Sequence, residues 1–190
     1  MRNIYFTVGP SQIYPTVPTH IQEAIENDVL SISHRSTFFT DLYADTVSHL
    51  RQLFGVPSDY EIFFTSSATE GWERVIQNCI EHKSLHVVNG AFAKKFFTMA
   101  HDLGKDPIDA TYDDGKIIDL NKLDVPEDTE MICLVQNETS TGLSLPAQSI
   151  YTLKKKYPDQ LLLLDVVSSA PYFDMDYSFA DCIIFSVQKG

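Results

Sequence analysis

Two ionisable side chains stand beside apolar runs, where a charge needs a specific partner. Asp165 ends a run of four leucines, and Lys189 comes shortly after the apolar run at 182–185. A buried carboxylate without a partner is costly, so Asp165 either caps the next turn through Ser168 or Ser169 or binds a protonated group such as a pyridinium nitrogen. Lys189 is either a partly desolvated amine nucleophile or a solvated residue near a frayed chain end.

A run of small residues, Ser66-Ser67-Ala68-Thr69, stands between an apolar segment and a segment of helical period. Small residues leave backbone N–H groups accessible at a helix N-terminus, which suits a phosphate dianion. The alternative is an ordinary N-cap by Ser67 or Thr69, with Glu70 favourable in the first turn. The run is neither a G-x-G-x-x-G nor a Walker motif, so it does not indicate a dinucleotide or nucleoside triphosphate site.

Three further side chains have types that suit a flat or anionic ligand. Phe92, after Asn89-Gly90, is either a core aromatic or a ring that offers its face to a heteroaromatic ligand. His34 and Arg35 precede an amphipathic helix that we expect to begin near Phe38. A guanidinium beside an imidazole suits an oxyanion, and the alternative is a solvated loop pair or a helix cap.

Short apolar runs alternate along the chain with segments of helical period. The pattern predicts strands at 60–65, 85–88, 131–135, 161–165 and 182–186, and helices at 69–81, 92–103 and 149–157. Such alternation is typical of an α/β fold with a mostly parallel sheet and helices on both faces. Ligands of such sheets bind at the carboxyl ends of the strands, so the residues that follow the predicted strands suggest one assembled site.

The composition excludes several classes of protein. The chain has 190 residues, with 14 Lys+Arg against 26 Asp+Glu and a net charge of −12, which argues against nucleic acid or an anionic membrane as a partner. Apolar residues make up 44%, enough for a core. The three cysteines are widely spaced, which argues against a zinc ribbon or a disulfide framework. The sequence has the pattern of neither a signal peptide nor a membrane span, so we expect a cytoplasmic protein.

Taken in chain order, the motifs resemble the class V aminotransferases, pyridoxal-phosphate enzymes of the aspartate-aminotransferase fold type. The resemblance covers nearly the whole chain and is closest to the phosphoserine branch, with the alanine–glyoxylate branch close behind. Each motif alone is weak evidence for the family, but the whole set in this order is specific for it. It comprises Phe6-Thr7-Val8-Gly9-Pro10, Ser33-His34-Arg35-Ser36, Ser67-Ala68-Thr69, Asn89-Gly90-Ala91-Phe92, Asn137-Glu138-Thr139-Ser140-Thr141-Gly142, Asp165-Val166-Val167-Ser168-Ser169 and Ser186-Val187-Gln188-Lys189-Gly190.

The resemblance implies a cofactor, pyridoxal 5'-phosphate, and a role for each matched residue. Lys189 would form the Schiff base and later move the proton between substrate and cofactor, while Asp165 would keep the ring nitrogen protonated. The resemblance also implies that Phe92 stacks on the cofactor ring and that the Thr139 hydroxyl contacts its phenolic oxygen. The phosphate would be bound by Ala68, Thr69 and Gln188. No metal is implied.

The predicted reaction is transamination between phosphoserine and 2-oxoglutarate, a step of serine biosynthesis. His34 and Arg35 match residues that meet the substrate phosphate in the phosphoserine branch, although the H-R-S string is shared more widely in the family. Phe92 and the small residues at 66–69 favour the alternative reaction, alanine– or serine–glyoxylate (or pyruvate) transamination. Phe92 also argues against a cysteine desulfurase. A non-catalytic fragment with a cofactor-binding fold is the alternative from another class.

Family members continue beyond the lysine with a second half, which includes a small C-terminal domain and an arginine for the substrate carboxylate. We therefore expect residues 1–190 to be an N-terminal segment plus most of the large cofactor-binding domain. The chain would then be the first half of a longer product, or one interrupted at a modified lysine. The resemblance also implies a homodimer with shared active sites, and small amino acids and keto acids as the substrates.

Overall fold

Helices make up most of the first part of the chain. The computed structural model of the protein describes residues 4–113 and 115–189, and it divides the chain into two compact units between Ile62 and Phe63. The first unit contains helix α1 (Val17–Glu26), a 3-10 turn (Val29–Ser31) and helix α2 (Thr37–Phe54).

Helix α2 begins close to the position that the sequence predicts. Ser36 is its N-cap, because the Ser36 hydroxyl accepts a hydrogen bond from the Phe39 backbone N–H at 3.2 Å. The helix ends at Gly55, whose φ of +61° is a left-handed conformation that favours glycine. The residues that precede the N-cap, including His34 and Arg35, form a turn.

The second unit is built around a parallel sheet. Its elements are α3 (Ala68–Cys79), β1 (Lys83–Val88), α4 (Ala91–Asp102), β2 (Asp106–Thr111), β3 (Met131–Val135), β4 (Asn137–Glu138), β5 (Leu143–Ser144), α5 (Ala147–Lys156), β6 (Leu161–Asp165) and β7 (Cys182–Ile184). Five strands pair in the order β2-β1-β3-β6-β7, and every neighbouring pair is parallel. Strands β4 and β5 form a separate antiparallel hairpin. The prediction of an α/β fold with a mostly parallel sheet is confirmed.

The register of the sheet brings the ends of its strands to one edge. Val135 of β3 lies opposite Asp165 of β6, and Asp165 lies opposite Ile184 of β7. Because parallel strands run in the same direction, the segments that follow these three residues all leave the sheet at this edge. The residues with candidate chemistry after β3, β6 and β7 therefore start from one place.

Two helices cover the face of the sheet on which Asp165 lies. Trp72 and Ile76 of α3 and Phe96 of α4 form one buried cluster with Cys133 and Leu163 of the sheet. Side chains alternate along a strand, so Asp165, two residues after Leu163, points to this same face. The residues of the opposite face are also buried, as the continuous apolar runs predicted. They include Ile132, Leu134, Leu162 and Leu164.

The predicted elements differ from the structure at several places. Helix α1 and the β4–β5 hairpin were not predicted. The predicted strand at 60–65 is wrong: none of these residues belongs to a strand, and Phe63 is 82% exposed. An apolar run becomes a strand only where a neighbour supplies backbone partners. Strand β2 was not predicted, because this outer strand contains Pro107 and exposed acids instead of an apolar run. No helix in the described parts of the chain is long and apolar enough to cross a membrane.

Candidate active site

The Asp165 carboxylate is buried at the end of β6, with 4% of the residue exposed. Its Oδ2 accepts a hydrogen bond from the indole N–H of Trp72 at 2.8 Å, and its Oδ1 accepts one from the Val167 backbone N–H at 2.9 Å. Burial raises the pKa of Asp165 to about 6, and the negative charge of Glu138 acts in the same direction against the two hydrogen bonds. The predicted alternative of a cap through Ser168 or Ser169 is wrong, since the local donor is Val167.

Trp72 lies within the helix predicted at 69–81, and the sequence assigns it no role in the site. Its contact with Asp165 joins residues 93 positions apart, which no local pattern indicates. One signal was present in the sequence: a large aromatic residue lies in the second helical turn after a cap of small residues. Side chains in a helix point towards its N-terminus, which here lies at the carboxyl ends of the strands.

Glu138 is a second residue of the site that the sequence did not predict. It is fully buried, and its Oε2 accepts hydrogen bonds from the backbone N–H groups of Phe92 and Ala93, at 3.0 and 2.9 Å. Its Oε1 accepts two more from the backbone N–H and the hydroxyl of Ser140. A carboxylate at a helix N-terminus is favourable, so the β4–β5 hairpin caps helix α4 from a distant part of the chain.

Gly90 makes this approach possible. A Cβ atom at position 90 would overlap Cγ of Glu138 and would lie 2.6 Å from Oγ of Ser140. The same junction is held by the Thr141 hydroxyl, which donates a hydrogen bond to the Asn89 carbonyl at 3.0 Å. The hairpin and the start of α4 are therefore in direct contact.

The candidate phosphate cup lies at the start of helix α3. Ser67 is the N-cap, and its hydroxyl accepts a hydrogen bond from the Glu70 backbone N–H at 3.1 Å, so of the two predicted caps Ser67 is confirmed and Thr69 is not. Ala68 and Thr69 are the first two helical residues and are half-buried. Backbone N–H groups at this position have no carbonyl partner within the helix. The Lys95 ammonium lies 3.5 Å from the Thr69 hydroxyl and adds a positive charge.

Two candidate contacts to a flat ligand lie on the elements that Glu138 joins. Phe92 is the second residue of α4 and is 46% exposed, so the core-aromatic alternative is wrong. Thr139 is half-buried in the turn between β4 and β5. Both residues therefore belong to one hydrogen-bonded corner of the second unit.

Lys189 lies in a turn that follows β7. It is half-buried, not fully solvated, and its backbone N–H donates to the Ser186 carbonyl at 3.4 Å. Gln188 is exposed, and its side-chain oxygen accepts a hydrogen bond from the Ser186 hydroxyl. Because Ile184 pairs with Asp165, this turn starts from the edge of the sheet that carries the carboxylate.

His34 and Arg35 belong to the first unit, whereas the other predicted site residues belong to the second. Both are exposed in the turn before α2, and the Arg35 backbone N–H donates to the Ser33 hydroxyl at 3.2 Å. A guanidinium in this position is available to an anion. Among residues 4–113 and 115–189, no group of three His, Cys, Asp or Glu could hold a metal ion.

Comparisons with known proteins give a consistent result. The model of the family described as aminotransferase class-V matches residues 4–190. A phosphoserine aminotransferase from Rhodococcus opacus is 30% identical over 97% of this chain and 48% of its own. The structure of a phosphoserine aminotransferase from Cytophaga hutchinsonii has 46% identity and a TM-score of 0.94, over 98% of this chain and 52% of its own.

A more distant structure has the same fold. The alanine–glyoxylate aminotransferase from Nostoc has 24% identity and a TM-score of 0.78, over 96% of this chain and 48% of its own. The chain thus spans about half the length of the curated relatives that it matches.

Proposed function

Because the chain belongs to the class V aminotransferase family, we propose that the full-length protein is a pyridoxal-phosphate-dependent aminotransferase that moves an amino group between phosphoserine and 2-oxoglutarate. The observation that carries the proposal is the 46% identity, over 98% of this chain, with the phosphoserine aminotransferase from Cytophaga hutchinsonii. The substrates would be small amino acids and keto acids.

The residues of the second unit fit pyridoxal phosphate by their chemistry. A carboxylate has about four lone-pair sites, and Asp165 uses two of them for Trp72 and Val167, so acceptor capacity remains for a protonated ring nitrogen. The exposed ring of Phe92 suits a flat heterocycle. The first amides of α3 and the nearby Lys95 suit a phosphate. When bound, the cofactor supplies an electron sink for the electron pair at the substrate Cα.

Each residue would then have one task. Lys189 would hold the cofactor covalently and carry the proton to and from the substrate Cα. Asp165 would accept the hydrogen bond of the protonated ring nitrogen, for which its carboxylate must be ionised. At neutral pH this is the major form, because the pKa of Asp165 is about 6, and a cation beside it favours ionisation further. The remaining contacts would come from Phe92 on the ring, Thr139 on the phenolic oxygen, and Ala68, Thr69 and Gln188 on the phosphate.

The substrate phosphate would be bound by His34 and Arg35, which are exposed in the turn before α2. An arginine can bind a phosphate through two parallel hydrogen bonds. The second candidate reaction, transamination between alanine or serine and glyoxylate or pyruvate, is favoured by the phenylalanine at position 92. It needs no phosphate contact.

The proposal includes the assembly and location of the full-length protein. Residues 1–190 would supply the N-terminal segment and most of the large domain, and a small domain would follow. A homodimer with shared sites is supported by apolar side chains exposed on the first unit, at Ile21, Ile25 and Leu30. A cytoplasmic location is supported by the three cysteines, none of which forms a disulfide.

The near-visible absorption spectrum of the full-length protein tests the proposal. Purified protein with pyridoxal phosphate should be yellow, and phosphoserine should bleach the band while serine and alanine at the same concentration do so far more slowly. Bleaching by alanine or serine and recovery with glyoxylate would replace phosphoserine with the second candidate. A protein that stays colourless with added pyridoxal phosphate would contradict the aminotransferase proposal.

A further inference from the structure

The indole of Trp72 is held in a closely packed stack beneath the candidate site. Its ring lies parallel to that of Phe96, with centroids 4.9 Å apart and planes at 9°. Phe96 in turn meets the ring of His86 edge to face at 4.8 Å. All three residues are buried, and Trp72 is 3% exposed. The indole N–H is therefore fixed in direction by packing that involves no part of Asp165.

Two donors from different elements fix the Asp165 carboxylate. The Val167 backbone N–H holds Oδ1 from the turn after β6, and the Trp72 N–H holds Oδ2 from helix α3. A carboxylate held at both oxygens cannot rotate without breaking a hydrogen bond. The negative charge of Glu138 acts on Asp165, and the register partner of Asp165 in β7 is the apolar Ile184. Trp72 is thus the side-chain donor that acts against burial and Glu138 in favour of the ionised form.

We propose that Trp72 is a positioning residue for Asp165, whose indole N–H fixes the carboxylate and stabilises its ionised form before a protonated ligand binds. The inference rests on the proposed function for the identity of that ligand, the ring nitrogen of pyridoxal phosphate. The effect of Trp72 on Asp165 itself needs no cofactor. A donor supplied in advance reduces the reorganisation that binding requires.

Two variants separate the hydrogen bond from the packing. Trp72→Phe removes the N–H and keeps an aromatic ring to stack on Phe96. Ile76→Val removes one methyl group from a fully buried residue one turn further along α3 and keeps the hydrogen bond. A purely structural role for Trp72 predicts that the two variants behave alike.

The first measurement is a titration of the full-length protein without cofactor. The ¹³C carboxyl resonance of Asp165, assigned by its absence in Asp165→Asn, should titrate in wild type and in Ile76→Val at the same midpoint. In Trp72→Phe the proton-binding constant of Asp165 should rise about tenfold, because the ionised carboxylate has lost a hydrogen bond. An unchanged midpoint in Trp72→Phe would overturn the inference.

The second measurement is the affinity for pyridoxal phosphate between about pH 5 and about pH 8. As the pH is lowered, the affinity of Trp72→Phe for pyridoxal phosphate should begin to fall at a higher pH than that of wild type. The affinity of Ile76→Val should have the same pH dependence as that of wild type. Identical pH profiles for all three proteins would overturn the positioning role. A wild type that titrates as expected but binds no pyridoxal phosphate would instead overturn the proposed function, while the effect of Trp72 on Asp165 would stand.

A third observation applies if Trp72→Phe does not fold. Trp72 is the single tryptophan among residues 1–190, and its indole N–H resonance can be followed in ¹⁵N-tryptophan-labelled wild type. This resonance should shift with the same midpoint as the Asp165 carboxyl. An indole resonance that does not respond to pH in this range would overturn the inference.

Discussion

Glu138 accepts hydrogen bonds from the backbone N–H groups of both Phe92 and Ala93 through a single carboxylate oxygen, at 3.0 and 2.9 Å. Glu138 is part of the β4–β5 hairpin, whereas Phe92 and Ala93 begin helix α4. The hairpin turn carries Thr139, and the helix start carries the exposed ring of Phe92. One buried carboxylate therefore sets the position of two predicted cofactor contacts relative to each other.

Replacement of Glu138 by glutamine should destabilise the protein. An amide has one acceptor oxygen, so its NH₂ group must face either the amides of α4 or the Ser140 N–H, donor against donor. We expect a loss of about 1.5–3 kcal/mol in the free energy of unfolding, measured by urea denaturation. Ser140→Ala is the matched control. It removes a hydroxyl that donates to Glu138 and accepts from the Ala91 backbone N–H, but the Glu138 carboxylate keeps its three backbone donors, so the cost should be smaller. Equal stabilities of wild type and Glu138→Gln would contradict this account.

Gly90→Ala tests the close approach at the same junction. The added methyl group would overlap Cγ of Glu138, so the hairpin must move, and we expect a loss of about 1–3 kcal/mol. Gly71→Ala is the control, because its Cβ would lie at an ordinary 3.5 Å from Ile184. Within helix α3 it should be neutral or stabilising by up to about 1 kcal/mol. Thermal unfolding of the two variants gives the comparison, and similar losses in both would refute it.

Lys189→Ala should abolish both the near-visible band and turnover, because no other described amine is expected to replace it at the end of β7. Lys95→Ala is the matched control. It removes the ammonium that lies 3.5 Å from the Thr69 hydroxyl and should weaken cofactor binding several-fold while the band remains. Titration of each variant with pyridoxal phosphate, followed by absorption, distinguishes the two roles. A persistent band in Lys189→Ala would eliminate Lys189 as the covalent residue.

Arg35→Ala should discriminate between substrates. A hydrogen-bonded contact between arginine and phosphate stabilises binding by about 1.5–3 kcal/mol, so kcat/KM for phosphoserine should fall roughly 10- to 150-fold. The value for unphosphorylated serine should change little. Lys122→Ala, which also removes an exposed positive charge, should leave both values unchanged. Equal losses for the two substrates in Arg35→Ala would argue for the second candidate reaction.

The buried Asp165 should make the cofactor-free protein more stable in mild acid. Its pKa rises from 3.8 to about 6 on folding, so the folded state binds the proton more tightly than the unfolded state does. Stability from this group is fully present below 3.8 and is lost as pH rises through about 6. Relative to the non-titrating Asp165→Asn, wild type should gain up to about 3 kcal/mol as pH falls across this window. Denaturation curves with no such relative gain would show that Asp165 is solvated.

Parts of the fold that depend on burial could be predicted from the sequence. Strands β3 and β6 match their predicted bounds residue for residue, because a strand buried on both faces needs an uninterrupted apolar run. Strand β2 was missed and the segment at 60–65 was wrongly predicted as a strand, because pairing with a neighbouring strand decides strand formation and composition alone does not. Asp165 stood out because a charge interrupted a run of leucines.

The contacts that organise the site could not be predicted in the same way. Trp72 and Asp165 are 93 positions apart, and Glu138 and Phe92 are 46 positions apart. In each pair one partner has an ordinary local environment, a helix face for Trp72 and a two-residue strand for Glu138. Their chemistry arises only when the sheet brings distant segments together.

The two outer strands of the sheet differ in how they resist the addition of another strand. Strand β2 carries a proline, Pro107, and two exposed acids, Asp106 and Asp109, which together discourage edge-to-edge association. Strand β7 consists of Cys182, Ile183 and Ile184, with neither proline nor charge, and among the described residues it pairs on one side only. Backbone pairing with another chain is therefore disfavoured at β2, and we expect any strand that extends the sheet to pair with β7.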